Sequence, residues 1–302
     1  MTEGLNISVA VASFRERPLL DACLASLRLQ CDAAGAEIVV ARDAACGDVD
    51  ELARDHPRVK FVEASHHAGV PRLRGAALAH ARGRWVALTE DHCVAAEDWL
   101  PRLIASCDDT ARIVGGAMDN ARRDRGVDWG AFFSEYGFFA EGAGHVEPPL
   151  VTAANVAYAR EVLADVISLA SAGEWENVIH AHLAKQGWRL KFERAARVLQ
   201  NKEYRFGAFC RDRYEHGYSY ARRRLVDEAR KRWVYLPGTA VLPALQTLRV
   251  WKCVGPRNGA AFVRALPFTF AFLAAWSIGE AVGYARGRPS LDIATTASES
   301  KA

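Results

Sequence analysis

Gly83-Arg84-Trp85-Val86-Ala87-Leu88-Thr89-Glu90-Asp91-His92-Cys93 decides how the first half of this chain folds. The apolar run 85–88 has the length and residue types of a strand, and it stops at Glu90, Asp91 and His92. A run of this kind between helical segments reads as a strand buried on both faces of a parallel sheet. In such sheets ligands bind just beyond the carboxyl ends of the strands. Two carboxylates and an imidazole at that place suit a divalent cation and a phosphate. An acidic, solvated turn is the other reading of the same tripeptide.

The flanking segments alternate in type. Residues 7–12 are an apolar strand, and Pro18 then opens a helix with Leu19, Leu20, Cys23, Leu24 and Leu27 on one face. A second strand, 37–41, ends at Arg42-Asp43; helical residues follow to about His56, then a third strand at 59–62. The loop Ser65-His66-His67-Ala68-Gly69 leads into a helix over 71–82, for which Gly83 is the expected C-cap. Beyond the quoted stretch, Glu97-Asp98-Trp99-Leu100 starts another helix, and 113–118 is one more strand. This rhythm predicts βαβ units in a right-handed, mostly parallel sheet.

Residues 121–149 are Gly-rich and aromatic (Trp129, Phe132, Phe133, Tyr136, Phe138, Phe139) and break the alternation; they face a substrate or fill a core. Residues 178–186 read as a helix ended by Gly187, and 188–192 as a short strand. From Val241 the composition turns apolar, and 265–279 carries no charge. That run is shorter than the ~20 residues of a spanning helix. With Arg257, Arg264, Arg286 and Arg288 around it, it reads as an interfacial or re-entrant helix pair beside anionic lipid, or else as a core helix or dimer interface. The small, polar residues 291–302 are an expected disordered tail.

A chain of 302 residues accommodates one large α/β domain with an appendage, or two modest domains. A net charge of +3 gives no argument for nucleic acid, and none is expected as a partner. Charge is concentrated instead: residues 205–232 hold nine Lys/Arg against four Asp/Glu, including Arg222-Arg223-Arg224. Seven cysteines, an odd number without CxxC spacing, favour free thiols in a reducing cytosol. The first 30 residues carry charges throughout, so no signal peptide is expected.

In this order the segments resemble the family 2 glycosyltransferases over about residues 7–217. Ser8-Val9-Ala10-Val11-Ala12-Ser13-Phe14-Arg15-Glu16-Arg17 is similar to the family's first strand and nucleotide-contacting turn, and Arg42-Asp43 to its acidic nucleobase position. Gly69-Val70-Pro71-Arg72-Leu73-Arg74-Gly75 resembles its "G…ARN.G" helix start, and the opening stretch the strand into its DxD motif. Ala153-Ala154-Asn155-Val156-Ala157-Tyr158 resembles "GANMAF", and Gly173-Glu174-Trp175-Glu176 with Leu183 and Gly187-Trp188 its "ED…RL…GW" helix. Two departures stand out: the DxD reads Glu90-Asp91-His92, and the expected ED reads Trp175-Glu176.

The resemblance implies an α/β GT-A (Rossmann-like) three-layer sandwich over 1–205, a basic and apolar helical region over 206–290, and the tail. It implies an inverting, hexosyltransferase-like enzyme that moves sugar from a UDP-, GDP- or dTDP-linked donor to a glycan or lipid-linked acceptor. The enzyme would lie peripherally at the cytoplasmic face of a membrane. Ser13, Phe14, Glu16, Asp43, Arg74, Glu90 and Asp91 would then bind donor. A divalent metal, Mn2+ or Mg2+, would sit on His92, Asp91 or Glu90, with imidazole favouring Mn2+. Glu176 would be the general base with Glu174 as competitor, and Asn155 and Trp175 would face the acceptor. A catalytically silent nucleotide-sugar-binding scaffold of the same fold is the alternative. A nucleotidyltransferase fits less well, because Ser13-Phe14-Arg15-Glu16-Arg17 has no glycine.

Overall fold

The computed structural model describes residues 6–108, 111–141, 151–228 and 231–287. Arg288, the tail 291–302 and part of the aromatic segment, 142–150, lie outside the described residues. The chain divides into two compact units, Met1–Ala121 with Gly144–Asn201, and Arg122–Ala143 with Lys202–Ala302. A single boundary at 205/206 places the segment 122–143 in the first unit; by its contacts it belongs to the second.

In the first unit, β1 (Ile7–Ser13) is buried at every residue, which is why its sequence lacks polar alternation. α1 (Arg17–Ala34) begins with Pro18 in its first turn and ends at Gly35 in the left-handed region. β2 (Glu37–Asp43), α2 (Val49–Asp55), β3 (Val59–Ala64), α3 (Val70–His80) and β4 (Trp85–Glu90) follow. Next come β5 (Cys93–Ala95), α4 (Trp99–Ser106) and β6 (Ile113–Asn120). After α5 (Gly126–Tyr136) in the second unit, the chain returns through β7 (Val156–Ala159), α6 (Arg160–Ser171), α7 (Glu176–Lys185) and β8 (Leu190–Gln200). The eight strands form one sheet in the order β3-β2-β1-β4-β7-β6-β8-β5.

β3, β2, β1 and β4 are mutually parallel, whereas β7 runs antiparallel between β4 and β6, and β5 antiparallel on β8. The parallel half therefore carries the Rossmann-like pattern. On one face Ala10, Val39, Ala41, Val86 and Leu88 pack with Ala77, Leu78, Val162, Leu163, Val166 and Leu183 from α3, α6 and α7. The alternate residues Val9, Val11, Val40 and Ala87, all fully buried, turn to the opposite face. There Gln30 ties α1 to its neighbours, donating to the Ala96 carbonyl and accepting from the Leu100 N–H, both at 2.9 Å.

Gly83 is not a C-cap. α3 stops at His80, and Ala81 takes an extended conformation. The glycine is needed because a Cβ there would lie 2.5 Å from the Ser8 nitrogen and 2.7 Å from the Ile7 carbonyl carbon, inside β1. β8 is also longer than the expected 188–192, since pairing with β6 carries it to Gln200 through a register shift at Gly116/Ala117.

The second unit holds α5, α8 (Phe206–Glu228), α9 (Arg232–Gly238) and α10 (Leu242–Arg286). Trp129, Phe132 and Phe133 are buried in it, and Phe133 meets Phe262 at 5.2 Å between ring centroids. For these residues, core filling is what the aromatic segment does. α8 and α10 approach through glycines: a Cβ at Gly217 would lie 2.1 Å from the Trp276 oxygen, and one at Gly279 2.0 Å from the Tyr214 oxygen. The backbone leaves helical geometry at Asn258 (φ −117°, ψ 24°), which divides α10 in two. Its second half, Arg257–Arg286, is by length and composition able to cross a membrane, longer than the uncharged run 265–279. Helical hydrogen bonding does not stop at Glu280, whose buried carboxylate accepts from the Tyr284 hydroxyl at 2.8 Å and from the Trp276 indole at 3.3 Å. Burial pushes its pKa up.

Candidate functional site

β1 pairs with β2 on one side and β4 on the other, so the chain reverses its order across the sheet at this strand. A crevice at the carboxyl ends of β1 and β4 follows, the place where open α/β sheets bind ligands. Ala12 stands opposite Glu90 in register, and the Asp91 N–H donates to the Ala12 carbonyl at 3.1 Å. The turns after both strands therefore meet.

Asp91 holds the first of those turns. Its Oδ2 accepts from the Phe14 N–H at 2.6 Å, the Arg15 N–H at 2.7 Å and the Ser13 hydroxyl at 3.1 Å. Burial alone would raise its pKa, but His92 and the two backbone donors outweigh burial and lower it. Arg42 supports the same turn from β2. Its buried guanidinium donates to the Ser13 hydroxyl at 2.9 Å and the Arg15 carbonyl at 2.6 Å, and forks onto both Asp48 oxygens at 2.9 and 2.8 Å. Asp43 is committed to backbone as well. Its Oδ1 accepts from Ala45 and His67 at 2.9 Å each, and its Oδ2 from Ala68 at 3.1 Å. It thereby shapes the His66–His67 loop, where His67 takes a positive φ of 52°. Glu16 is exposed at the start of α1 and makes no side-chain cap.

The second turn is tied to α7. Arg74, buried on α3, donates through Nε to Glu90 Oε1 at 3.0 Å and through Nη1 to Glu176 Oε2 at 2.7 Å. It joins carboxylates 86 positions apart in sequence (176 − 90). Glu176 heads α7, where the helix dipole favours a negative charge. Burial alone would raise its pKa; the Arg74 cation overrides that and holds it below the ordinary carboxylate range. Behind it, His180 Nε2 lies 2.8 Å from the Tyr158 hydroxyl, and burial brings the imidazole pKa down to about 4. His180 is therefore neutral near pH 7 and leaves Arg74 as the cation on Glu176. His182, two positions on, is exposed, as helical spacing requires. Trp175 is 42% exposed beside Glu176, its ring 5.4 Å from the Arg74 guanidinium carbon. Glu174 closes the preceding turn, its N–H on the Leu169 carbonyl at 3.0 Å.

His92 is buried with Nδ1 at 3.6 Å from both Glu90 Oε2 and Asp91 Oδ1. Asp91 Oδ1 is itself buried without a hydrogen bond. Among the described residues no group of three or more His, Cys, Asp or Glu side chains is arranged to hold a metal. Asp91 Oδ1 with the neighbouring His92 imidazole fits a cation taking one or two protein ligands and completing its shell from phosphates and water.

Asn155 does not face the crevice. It is fully buried, its Nδ2 donating to the Ala117 and Ala196 carbonyls at 2.9 Å and its Oδ1 accepting from the Trp99 indole at 2.8 Å. With its side chain spent on joining strands, it has no surface to offer an acceptor. Asn155→Ala leaves three polar groups without this partner, so unfolding free energy should fall by roughly 3 kcal/mol. A lower urea midpoint at unchanged m would show it; a rise in acceptor KM without loss of stability would return the residue to the site.

Arg42, Asp48, Tyr158 and His180 carry no site role on the sequence alone. Arg42 offers the one available signal, a charge at the end of an otherwise apolar strand beside Asp43.

A family model described as glycosyl transferase family 2 matches residues 8–167. Among solved structures, the chain is similar to a mannosyltransferase from Pyrobaculum calidifontis in complex with GDP-Man and Mn2+. That likeness is 20% in identity, over 92% of this chain and 88% of that one, with a TM-score of 0.57. A mycobacterial protein is 14% identical over 69% of this chain and 71% of its own, at a TM-score of 0.48. Comparison with curated proteins gives no match. The fold is the GT-A-like α/β arrangement, with helices following it.

Proposed function

We propose, from the premise that this chain belongs to glycosyl transferase family 2, that its first unit transfers a sugar from a nucleotide-diphosphate donor to a hydroxyl acceptor with inversion. The observation that carries the reading is the Arg74 bridge, which brings Glu176 of α7 to the Glu90-Asp91-His92 turn at the crevice. Leaving-group chemistry and proton removal need to be neighbours, and here the two motifs share one cation.

In this reading the Asp91-anchored turn Ser13-Phe14-Arg15, with Glu16 beyond it, frames the nucleotide. Asp43 serves by shaping the His67–Ala68 backbone that borders it. One or two of Asp91, His92 and Glu90 would hold a divalent metal, Mn2+ or Mg2+, together with the donor's diphosphate. When bound, the metal supplies Lewis-acid neutralisation of the departing diphosphate. Glu176 takes the proton from the acceptor hydroxyl as that oxygen bonds to the anomeric carbon, and the bond to the diphosphate breaks on the opposite face. One displacement inverts the centre. Trp175 offers an exposed ring to the acceptor, a glycan or a lipid-linked sugar. The second unit, with its long apolar helix, would bring the chain to a membrane, in this reading peripherally at the cytoplasmic face.

A thermal-shift series with UDP-, GDP- and dTDP-sugars tests this, since a ligand that binds only the native state raises Tm. One donor class should raise Tm with Mn2+ present and lose most of the effect in excess chelator, and turnover should follow. Full activity in chelator would remove the metal. Donor binding without turnover over a range of acceptors would favour the silent scaffold.

A further inference from the structure

The long apolar helix Arg257–Arg286 is the obvious membrane element by composition. Yet Phe262, Ala265, Thr269, Phe272, Leu273, Ser277 and Glu280 on it are buried within the protein. The segment before the Asn258 break also turns apolar side chains outward, as Val263, Leu266, Phe270 and Ile278 do after it, but here they alternate with cations. Pro243, Val250 and Val254 turn inward, while Val241 (62% exposed) just before the helix, Leu245 and Leu248 on it, and Trp233 (66%) and Val234 (72%) on α9, stand in solvent; Trp251 is 42% exposed, with one side of its ring against Phe262. An apolar side left largely exposed among the described residues calls for an occupant.

Charge identifies the occupant. From Lys231 to Gly279 the chain carries six basic residues (Lys231, Arg232, Arg249, Lys252, Arg257 and Arg264) and no Asp or Glu. Arg249 and Lys252 are exposed among the apolar side chains, and the Arg232 guanidinium lies 4.5 Å over the Trp233 ring. A second copy of this chain would bring like charges together. An anionic lipid surface instead offers apolar depth for the tryptophans and phosphate for the cations, and Trp and Lys/Arg are the side chains that favour that boundary.

We propose that α9 and the first half of α10 form the docking surface for an anionic bilayer, with Trp233, Val234, Leu245, Leu248 and Trp251 entering the headgroup boundary and Arg249 and Lys252 meeting lipid phosphate. This deepens the peripheral-membrane part of the reading above, and it stands or falls separately from sugar transfer at Glu176.

Flotation of the full chain with phosphatidylcholine vesicles, with and without phosphatidylglycerol, reads the surface. The protein should float with the anionic vesicles only, and added salt should release part of it. Trp233→Ala combined with Trp251→Ala should lower vesicle affinity about tenfold. Arg249→Gln and Lys252→Gln, exposed changes that preserve the fold, should each lower it about fivefold. The circular-dichroism melting temperature checks folding, and donor thermal shift reads the first unit independently. No flotation with either vesicle, or unchanged flotation of both sets of variants, overturns the proposal. So does a dimer in size-exclusion chromatography that the tryptophan changes dissociate while flotation stays as in wild type.

Discussion

Glu176→Gln should lower kcat by about 10²–10⁴-fold, with the donor Kd within about threefold of wild type. The glutamine keeps the shape and a hydrogen-bonding oxygen for Arg74 but cannot take a proton. Because the Arg74 cation holds the Glu176 carboxyl below the ordinary range, the base form persists on the acid side of neutrality. The acid limb of kcat/KM should therefore fall at or below the usual carboxylate pKa. Donor titration beside steady-state kinetics separates the two parameters. Normal turnover of the variant would pass the base role to Glu174, just before α7 begins.

Arg74→Met should have the second large effect. It removes the cation that Glu90 and Glu176 share in a largely buried place, and breaking such a pair costs roughly 3–5 kcal/mol. The sign with pH is set by Glu176, whose folded pKa is depressed. Its contribution to stability is present above the unfolded value near 4.5 and is lost as pH falls through the folded one. The stability gap between wild type and Arg74→Met should thus narrow on acidification. With burial no longer opposed, the Glu176 pKa rises in the variant, and the acid limb of activity moves to higher pH. Urea unfolding at neutral and acidic pH, with a pH–rate profile, measures both. If Arg74 instead serves the diphosphate, the variant weakens donor binding and leaves stability and the acid limb in place. Adding Glu176→Gln to Arg74→Met should cost less than the two single changes summed, because one interaction is being removed twice.

The parallel half of the sheet was legible because strands buried on both faces are written as short apolar runs, and β1, β2 and β4 have them; the edge strand β3, with no buried residue, shows only Val59, Phe61 and Val62. β5 and β7 were not, since three- and four-residue strands carry no period, and their antiparallel pairing is fixed by partners far along the chain. Gly83 shows the same limit at one residue. A glycine after a helix reads as a cap, whereas here β1 passes too close for any side chain. In the site, motif order placed Glu90, Asp91, His92 and Glu176 together, but nothing local to Arg74 could say that its charge is spent on two carboxylates. Asn155 was read as a ligand-facing amide from its motif. Its three hydrogen bonds come from α4, β6 and the β8 strand, contacts that only the folded sheet creates. At the other end, composition pointed to the most apolar helix; exposed apolar side chains lie on both sides of the Asn258 break, and the cations among them select the segment before it.

The claim at the centre is a single displacement at the anomeric carbon with Glu176 as base. Proton NMR of the anomeric signal in the glycoside formed on whichever hydroxyl acceptor supports turnover, from whichever nucleotide sugar raises Tm, tests it most directly. An α-linked donor should give a β-configured product, and Glu176→Gln should give little product of either kind. An α-configured product, or cleavage that continues undiminished in Glu176→Gln, would contradict the account.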